Sequence, residues 1–296
     1  MTTPRVYLWC PAYPLADATS HVAALTAAEA FTSAIGATLA PSPLLTRHPG
    51  VGAWLPATER QADLQQGSSH DWLLAARGGY GCVDLLADLP ATLPRLIGYS
   101  DLTALHAAQH RRGGPGGLYG FMPGVRHGTR ALASTVALAT GAGWAVESLP
   151  DTTVLRSGQA RGPLFAGCLR VLAGLLGTPW FPDLRGHILA LEDIDEKPYR
   201  IERDLFQLHA AGALDGVIGL AFGRFPVELA AGYAGPATVD LCARWAERLA
   251  VPAVFGLPIG HDPDPLTLAI GQTSTLTCHA TGWRLAQTST AAADQP

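Results

Sequence analysis

Between Leu93 and Ala108 the chain switches periodicity within a single short turn, and this limits its fold more than any other stretch. The run 93–97 is apolar apart from Arg95 and has the length of a buried strand. Leu102, Leu105 and Ala108 then recur at helical spacing. Only Gly98-Tyr-Ser-Asp101 lies between the two, so a strand must feed straight into a helix. Units of this kind build parallel sheets covered by helices, and ligands bind beyond the carboxyl ends of the strands. The turn sets Ser100 at that edge, beside the free N–H groups of a helix start. An exposed hydroxyl next to backbone donors is what acyl transfer requires. Asp101-Leu102 replaces the second glycine of a G-x-S-x-G elbow, and a serine in this place also serves as an ordinary helix N-cap.

The same alternation runs through the first 120 residues. A strand over 5–10 ends at Pro11 and Pro14, and an Ala-rich helix follows over 21–35. Thr58-Glu-Arg-Gln61 has capping-box spacing and opens a helix through Leu64. A buried strand over 72–76 leads into Arg77-Gly-Gly-Tyr-Gly81 and a short helix over 83–88; a further strand is expected over 117–120. From 122 to about 140 no regular element is read. The domain boundary is therefore placed there, with an N-terminal α/β domain over 1–125, a boundary region over 126–150 and a C-terminal domain over 151–287. Residues 288–296 read as a disordered tail. In the second half, strands are expected over 144–149, 152–155, 187–191 and 217–222, with short ones near Ala253 and over 266–270, 275–279 and 283–285. Helices are expected over 167–176, 200–211 and 237–249. This rhythm implies mixed α/β structure with more antiparallel pairing.

A chain of 296 residues is long enough for two ordinary domains or one large one, and its hydrophobic fraction of 48% supports a sizeable core. Net charge is −4 and Lys197 is the only lysine, so there is no basic field for nucleic acid. The most apolar window, 163–181, is broken by Arg170 and by glycines, which argues against a membrane span. The first residues lack a secretory pattern. The five cysteines form no C-x-x-C pair, which fits a reducing compartment, and the cytoplasm is the expected location.

Several groups compete for chemistry. Cys82 lies in a βα turn, where a helix start would activate a thiol, as in amidotransferase-like sheets. His106 and His110 are spaced i, i+4, but Ala107 stands where a zinc-peptidase helix carries glutamate, so a structural pair is expected rather than a metal site. Glu192 ends a buried strand and begins the cluster Asp193, Asp195, Glu196. His261 follows Gly256-Leu-Pro-Ile-Gly260. Ser100, Glu192 and His261 thus fall at element ends in the order serine, acid, histidine, which hydrolases on α/β scaffolds use.

These segments, taken in order, resemble the LD-carboxypeptidase family of the muramoyltetrapeptide carboxypeptidase type, which also includes microcin C self-immunity peptidases. The resemblance spans about 6–285. It rests on Ala57-Thr-Glu-Arg60 with Asp63-Leu64, Ala76-Arg-Gly-Gly-Tyr-Gly81, Gly98-Tyr-Ser-Asp-Leu-Thr-Ala104, Gly177-Thr-Pro-Trp180, Leu191-Glu-Asp-Ile194, Pro198-Tyr-Arg-Ile-Glu-Arg203 and Gly256 through His261. It implies an N-terminal flavodoxin-like or amidotransferase-like parallel-sheet domain and a C-terminal β-rich α/β domain, with the site split between them, and a homodimer. Ser100 would be the nucleophile, Glu192 the acid and His261 the base. The amides of Asp101 and Gly79 would form the oxyanion hole, and Arg77, Gly78 and Tyr99 would bind substrate. No metal or cofactor is implied. The substrate would be a murein tetrapeptide that loses its terminal D-alanine during peptidoglycan recycling. Cleavage of an aminoacyl-nucleotide antibiotic amide, a Cys82-dependent enzyme and a non-catalytic muropeptide-binding protein are the alternatives. The chain departs from the family pattern at Gly120-Phe-Met122, where G-P-M is usual, and at Ala166-Gly-Cys-Leu169, where G-G-N-L is usual. Both departures are expected to affect the substrate pocket.

Overall fold

Strand Trp72–Ala75 is buried at every position, and in Arg5–Trp9 only the first residue is exposed. Strands this uniformly apolar must be covered on both faces. The computed structural model describes residues 2–48 and 54–288. Strands β1 (Arg5–Trp9), β2 (Thr38–Pro41), β3 (Trp72–Ala75), β4 (Arg95–Ile97) and β5 (Gly117–Tyr119) alternate with helices α1 (Ala18–Ala34), α2 (Ala57–Gly67) and α3 (Thr103–Arg111), and α4 (Thr129–Ala139) follows. The five strands run parallel in the order β5-β4-β3-β1-β2. Successive side chains point to opposite faces. Leu73 and Leu96 accordingly pack with Leu64 of α2 and Leu105 of α3, whereas Leu74 and Ile97 pack with Phe31 of α1 and Leu138 of α4.

Three local expectations are corrected here. Helix α1 begins at Ala18 rather than at 21, because the Asp17 carboxylate accepts the Ser20 N–H at 2.7 Å. The capping box at Thr58 does not form: Pro56 is the N-cap, without a side-chain cap, and Glu59 pairs with Arg47 at 2.8 Å. Helix α4 occupies the stretch that reads as irregular. Its buried face is made of Ala131, Thr135 and Leu138, and its first turn is held by Asp264 Oδ1, which accepts the Ala131 N–H at 3.0 Å.

The second half contains β6 (Trp144–Glu147), β7 (Thr153–Arg156), β8 (Gly158–Cys168), α5 (Leu169–Gly174), β9 (Ile188–Glu192), α6 (Pro198–Ala210), β10 (Gly219–Gly223), α7 (Thr238–Leu249), β11 (Ala253–Leu257), β12 (Leu268–Ala269), β13 (Thr273–His279) and β14 (Gly282–Gln287). Its sheet has the order β6-β14-β13-β8-β9-β10-β11-β7. The four strands β8 to β11 are parallel and the flanking pairs antiparallel. Strand β8 is absent from the sequence reading, because Gly-Gln-Ala-Arg-Gly-Pro over 158–163 shows no apolar alternation. Its first half pairs with β13 and its second with β9, so it joins the two regions of the sheet. Strand β12 leaves this sheet altogether and pairs antiparallel with β5, Leu268 opposite Tyr119. At the end of the described chain Thr288 donates to Thr273, and 289–296 lie outside the described residues. Among the described residues no helix is long and apolar enough to cross a membrane.

Candidate active site

Strand β4 stops at Ile97, and the backbone turns sharply through Gly98 (φ +145°) and Ser100 (φ +65°). A left-handed serine costs roughly 1–3 kcal/mol unless its surroundings hold it, and such strain concentrates where a side chain must be aimed. A single 3₁₀ turn, Ser100–Leu102, then leads into α3. Ser100 is therefore not a side-chain N-cap. Its Oγ lies 3.2 Å from His261 Nε2.

His261 follows Gly260 in the loop after β11, and Glu192 is the last residue of β9. Gly260 has φ +61°, and a Cβ there would stand 2.1 Å from Glu192 Cδ, so only glycine lets the histidine loop cross the carboxylate. Glu192 is fully buried. Its Oε2 accepts the His261 Nδ1–H at 2.8 Å and the His261 backbone N–H at 3.1 Å, and its Oε1 accepts the Tyr119 hydroxyl at 2.6 Å. With Nδ1–H given to Glu192, the imidazole keeps its Nε2 lone pair for the serine hydroxyl. Burial pulls the His261 pKa down, but the hydrogen bond and charge of Glu192, with Asp193 and Asp195 beyond, outweigh it and leave the imidazole above its ordinary 6.5. The Tyr99 ring stands edge-on to this imidazole, 5.1 Å between centroids, and is itself buried.

The glycine turn after β3 closes on the same serine. A Cβ on Gly78 would stand 3.1 Å from Ser100 Oγ and 3.6 Å from the Asp101 nitrogen, so the two backbones meet with no room for a side chain. Two clamps fix the turn. Asp101 Oδ2 accepts the Cys82 N–H at 2.7 Å. The fully buried Arg60 donates to the carbonyls of Gly81, Pro11 and Leu55 and pairs with Asp84 at 2.6 Å. Among the described residues, neither the Asp101 nor the Gly79 N–H has an acceptor. Two free amides beside a serine can stabilise a developing oxyanion. Arg77 is half-buried; its guanidinium donates to the Pro14 carbonyl at 3.4 Å and lies over the Tyr13 ring, and none of its contacts among the described residues joins it to Ser100, Glu192 or His261.

The competing groups are engaged elsewhere. Burial, reinforced by the neighbouring Asp101, pushes the Cys82 thiol well above its ordinary range, and its side chain has no exposure to solvent. His106 Nε2 contacts the Gly98 carbonyl at 2.9 Å and His110 Nε2 contacts His187 Nε2 at 3.0 Å, so the two imidazoles support different parts of the fold. Burial lowers the His106 pKa to about 4. Among the described residues no three His, Cys, Asp or Glu side chains are grouped to hold a metal ion. Phe121 packs in the core against Phe31 and His127. Cys168 sits behind the acid, its Sγ 3.3 Å from Asp193 Oδ1. The sequence reading gave no role to Tyr119, which falls in an expected strand, or to Arg60, which stands only as part of the Ala57–Arg60 segment.

Two α/β domains with a polar centre drawn from both define a hydrolase of the peptidase kind. The chain belongs to the LD-carboxypeptidase family: residues 6–120 match its N-terminal domain and residues 161–276 its C-terminal domain. It is 32% identical over 231 residues to the murein tetrapeptide carboxypeptidase of Pseudomonas aeruginosa, covering 72% of this chain and 73% of that one. The muramoyltetrapeptide carboxypeptidase structure from Oxalobacter formigenes superposes with a TM-score of 0.82 at 27% identity, over 95% of this chain and 99% of that one. The microcin C7 self-immunity protein MccF in complex with aspartyl sulfamoyl adenosine shares the fold, with a TM-score of 0.79 at 19% identity over 97% of each chain.

Proposed function

We propose that the protein is a serine LD-carboxypeptidase that removes the terminal D-alanine of a murein tetrapeptide. The observation that carries this reading is the chain of contacts from Glu192 through His261 to the Ser100 hydroxyl, at 2.8 and 3.2 Å. In this mechanism His261 Nε2 takes the Ser100 proton as Oγ attacks the carbonyl of meso-diaminopimelate, and Glu192 holds the imidazolium that forms. The Asp101 and Gly79 amides receive the oxyanion. His261 then protonates the departing D-alanine nitrogen. A water, deprotonated by the same imidazole, hydrolyses the acyl-enzyme and restores Ser100. The reading carries with it a cytoplasmic homodimer that serves peptidoglycan recycling without a metal or cofactor.

Fluorophosphonate labelling combined with a D-alanine release assay tests it. The expected result is a covalent adduct on Ser100 and D-alanine from L-Ala-γ-D-Glu-meso-diaminopimelyl-D-Ala. Turnover of an aminoacyl-sulfamate nucleoside instead would assign the protein to antibiotic detoxification. Binding of the peptide with neither labelling nor turnover would make it a muropeptide-binding protein.

A further inference from the structure

Arg95 is the one polar residue in the run 93–97, and it opens β4 with Leu96 and Ile97 fully buried behind it. The side chain is half-buried, and its guanidinium lies over the Trp72 ring, 4.4 Å from the centroid. Its Nε is buried without a hydrogen-bond partner, and among the described residues no Asp or Glu pairs with it. Burial lowers its pKa, with no acidic neighbour to offset the loss. A cation taken from water without a partner is costly, and arginine is the side chain shaped to hold oxyanions. The same residue lines a cavity of about 440 Å³, a size that holds a small metabolite. The other walls are the loop Gly113-Gly-Pro-Gly116 after α3, the turn Ile270-Gly-Gln272 after β12, and His110. The two segments meet closely: a Cβ on Gly116 would stand 2.6 Å from the Ile270 carbonyl oxygen. Gly116 is buried, yet neither its N–H nor that of Gln272 has an acceptor among the described residues. Buried N–H groups are almost always paired. Burial and the neighbouring His187 lower the His110 pKa to about 4, so that imidazole is neutral near pH 7 and Arg95 is the cation of the cavity.

We propose that this cavity binds a small oxyanion, the phosphate or carboxylate group of a compact metabolite, with Arg95 as its anchor. A guanidinium offers two parallel N–H groups to either partner. The Trp72 ring against its face holds the plane of that fork, so its donors are set before the ligand arrives. The Gly116 and Gln272 N–H groups add uncharged donors on the same cavity, as the backbone does in other anion-binding concavities. The site lies apart from the reacting groups. Arg95 begins β4 and Ser100 follows its other end, and none of Ser100, Glu192 and His261 lines the cavity. Binding here therefore stands or falls independently of the peptidase chemistry.

The test titrates the intact protein with sodium phosphate and with sodium acetate, chloride holding the ionic strength constant, and reads tryptophan fluorescence and Tm. At least one anion should give a saturable change in both. Arg95→Met should weaken that binding about tenfold or more, the size of one charge-assisted contact. Arg95→Lys keeps the charge but not the fork and should weaken it by a smaller factor. Trp72→Phe should abolish the fluorescence change and leave the shift in Tm. A response to phosphate alone assigns a phosphorylated ligand, a response to acetate alone a carboxylate, and a response to both leaves the shared oxyanion chemistry; each supports the site. No saturable response to either anion overturns it. So does a response that Arg95→Met leaves unchanged, including one that Arg77→Ala removes, which would place the anion at the glycine turn beside Ser100. Should Arg95→Met fail to fold, Arg95→Lys decides, and affinity equal to the parent's overturns the assignment.

Discussion

The Tyr119 hydroxyl on β5 of the first sheet donates to Glu192 Oε1 on β9 of the second across 2.6 Å, and the same oxygen accepts the Ser100 N–H at 3.3 Å. One buried phenol thus ties the acid to the backbone of the strained serine. Tyr119→Phe keeps the ring and removes only these bonds. Hydrogen bonds to charged groups are worth about 1.5–3 kcal/mol, so kcat should fall about tenfold or more with little change in KM. Steady-state D-alanine release measures this, and an unchanged kcat would show that the bridge is dispensable.

Ser100→Ala and His261→Ala should each lower kcat by roughly 10⁴-fold or more, and Glu192→Gln by less, because residues that act as one unit lose nearly everything with either member of the central pair. Circular dichroism should show all three folded, since Ser100 and His261 lie in turns outside the strands and Glu192→Gln keeps the shape of the side chain. Near-normal turnover by purified Ser100→Ala would sink the mechanism.

The pH profile follows from His261. Only the neutral imidazole can take the serine proton, and the folded protein holds it protonated to above pH 6.5. The acid limb of kcat/KM should therefore report an apparent pKa above that value. Glu192→Gln removes the leading group that raises it and leaves burial unopposed, so the limb should move to lower pH. The sign for stability is opposite: a raised folded pKa contributes stability that is complete below the unfolded imidazole's pKa and lost as pH rises through the folded value. A profile with its limb below the ordinary imidazole value would contradict the pairing.

Arg60 is the cation on which the glycine turn rests. Arg60→Met would leave the Gly81, Pro11 and Leu55 carbonyls and Asp84 without their donor. Each buried carbonyl left without its donor costs about 1–3 kcal/mol. The variant should melt well below the parent in a thermal scan. Asp84→Asn should cost much less, because Asp84 is 35% exposed and water can replace it.

What the sequence reveals is what is local. The turn at Ser100 is legible because strand, bend and helix occupy consecutive residues, and Glu192 and His261 are legible because each ends a short apolar run. What stays hidden depends on distant partners. Helix α4 takes its cap from Asp264, 133 residues away, and Tyr119 finds Glu192 73 residues on. Strand β8 has no alternation because its first half, rich in glycine and polar residues, does not face a single core. Cys82 lies in a βα turn, as a nucleophile could, and its burial against Asp101 is not legible from the sequence.

Strand β12 has a consequence for how the chain can be divided. After passing His261 the polypeptide returns to lend Leu268 and Ala269 to the edge of the first sheet, and then completes the second with β13 and β14. The first domain is therefore a closed unit in space but not in the gene. A fragment ending near residue 150 would expose the β5 edge, an open template for aggregation. A cassette swap that exchanged the second half would replace that edge as well. Recombination between relatives should succeed only where the incoming segment brings its own version of Leu268-Ala269, so the two domains are expected to be inherited together.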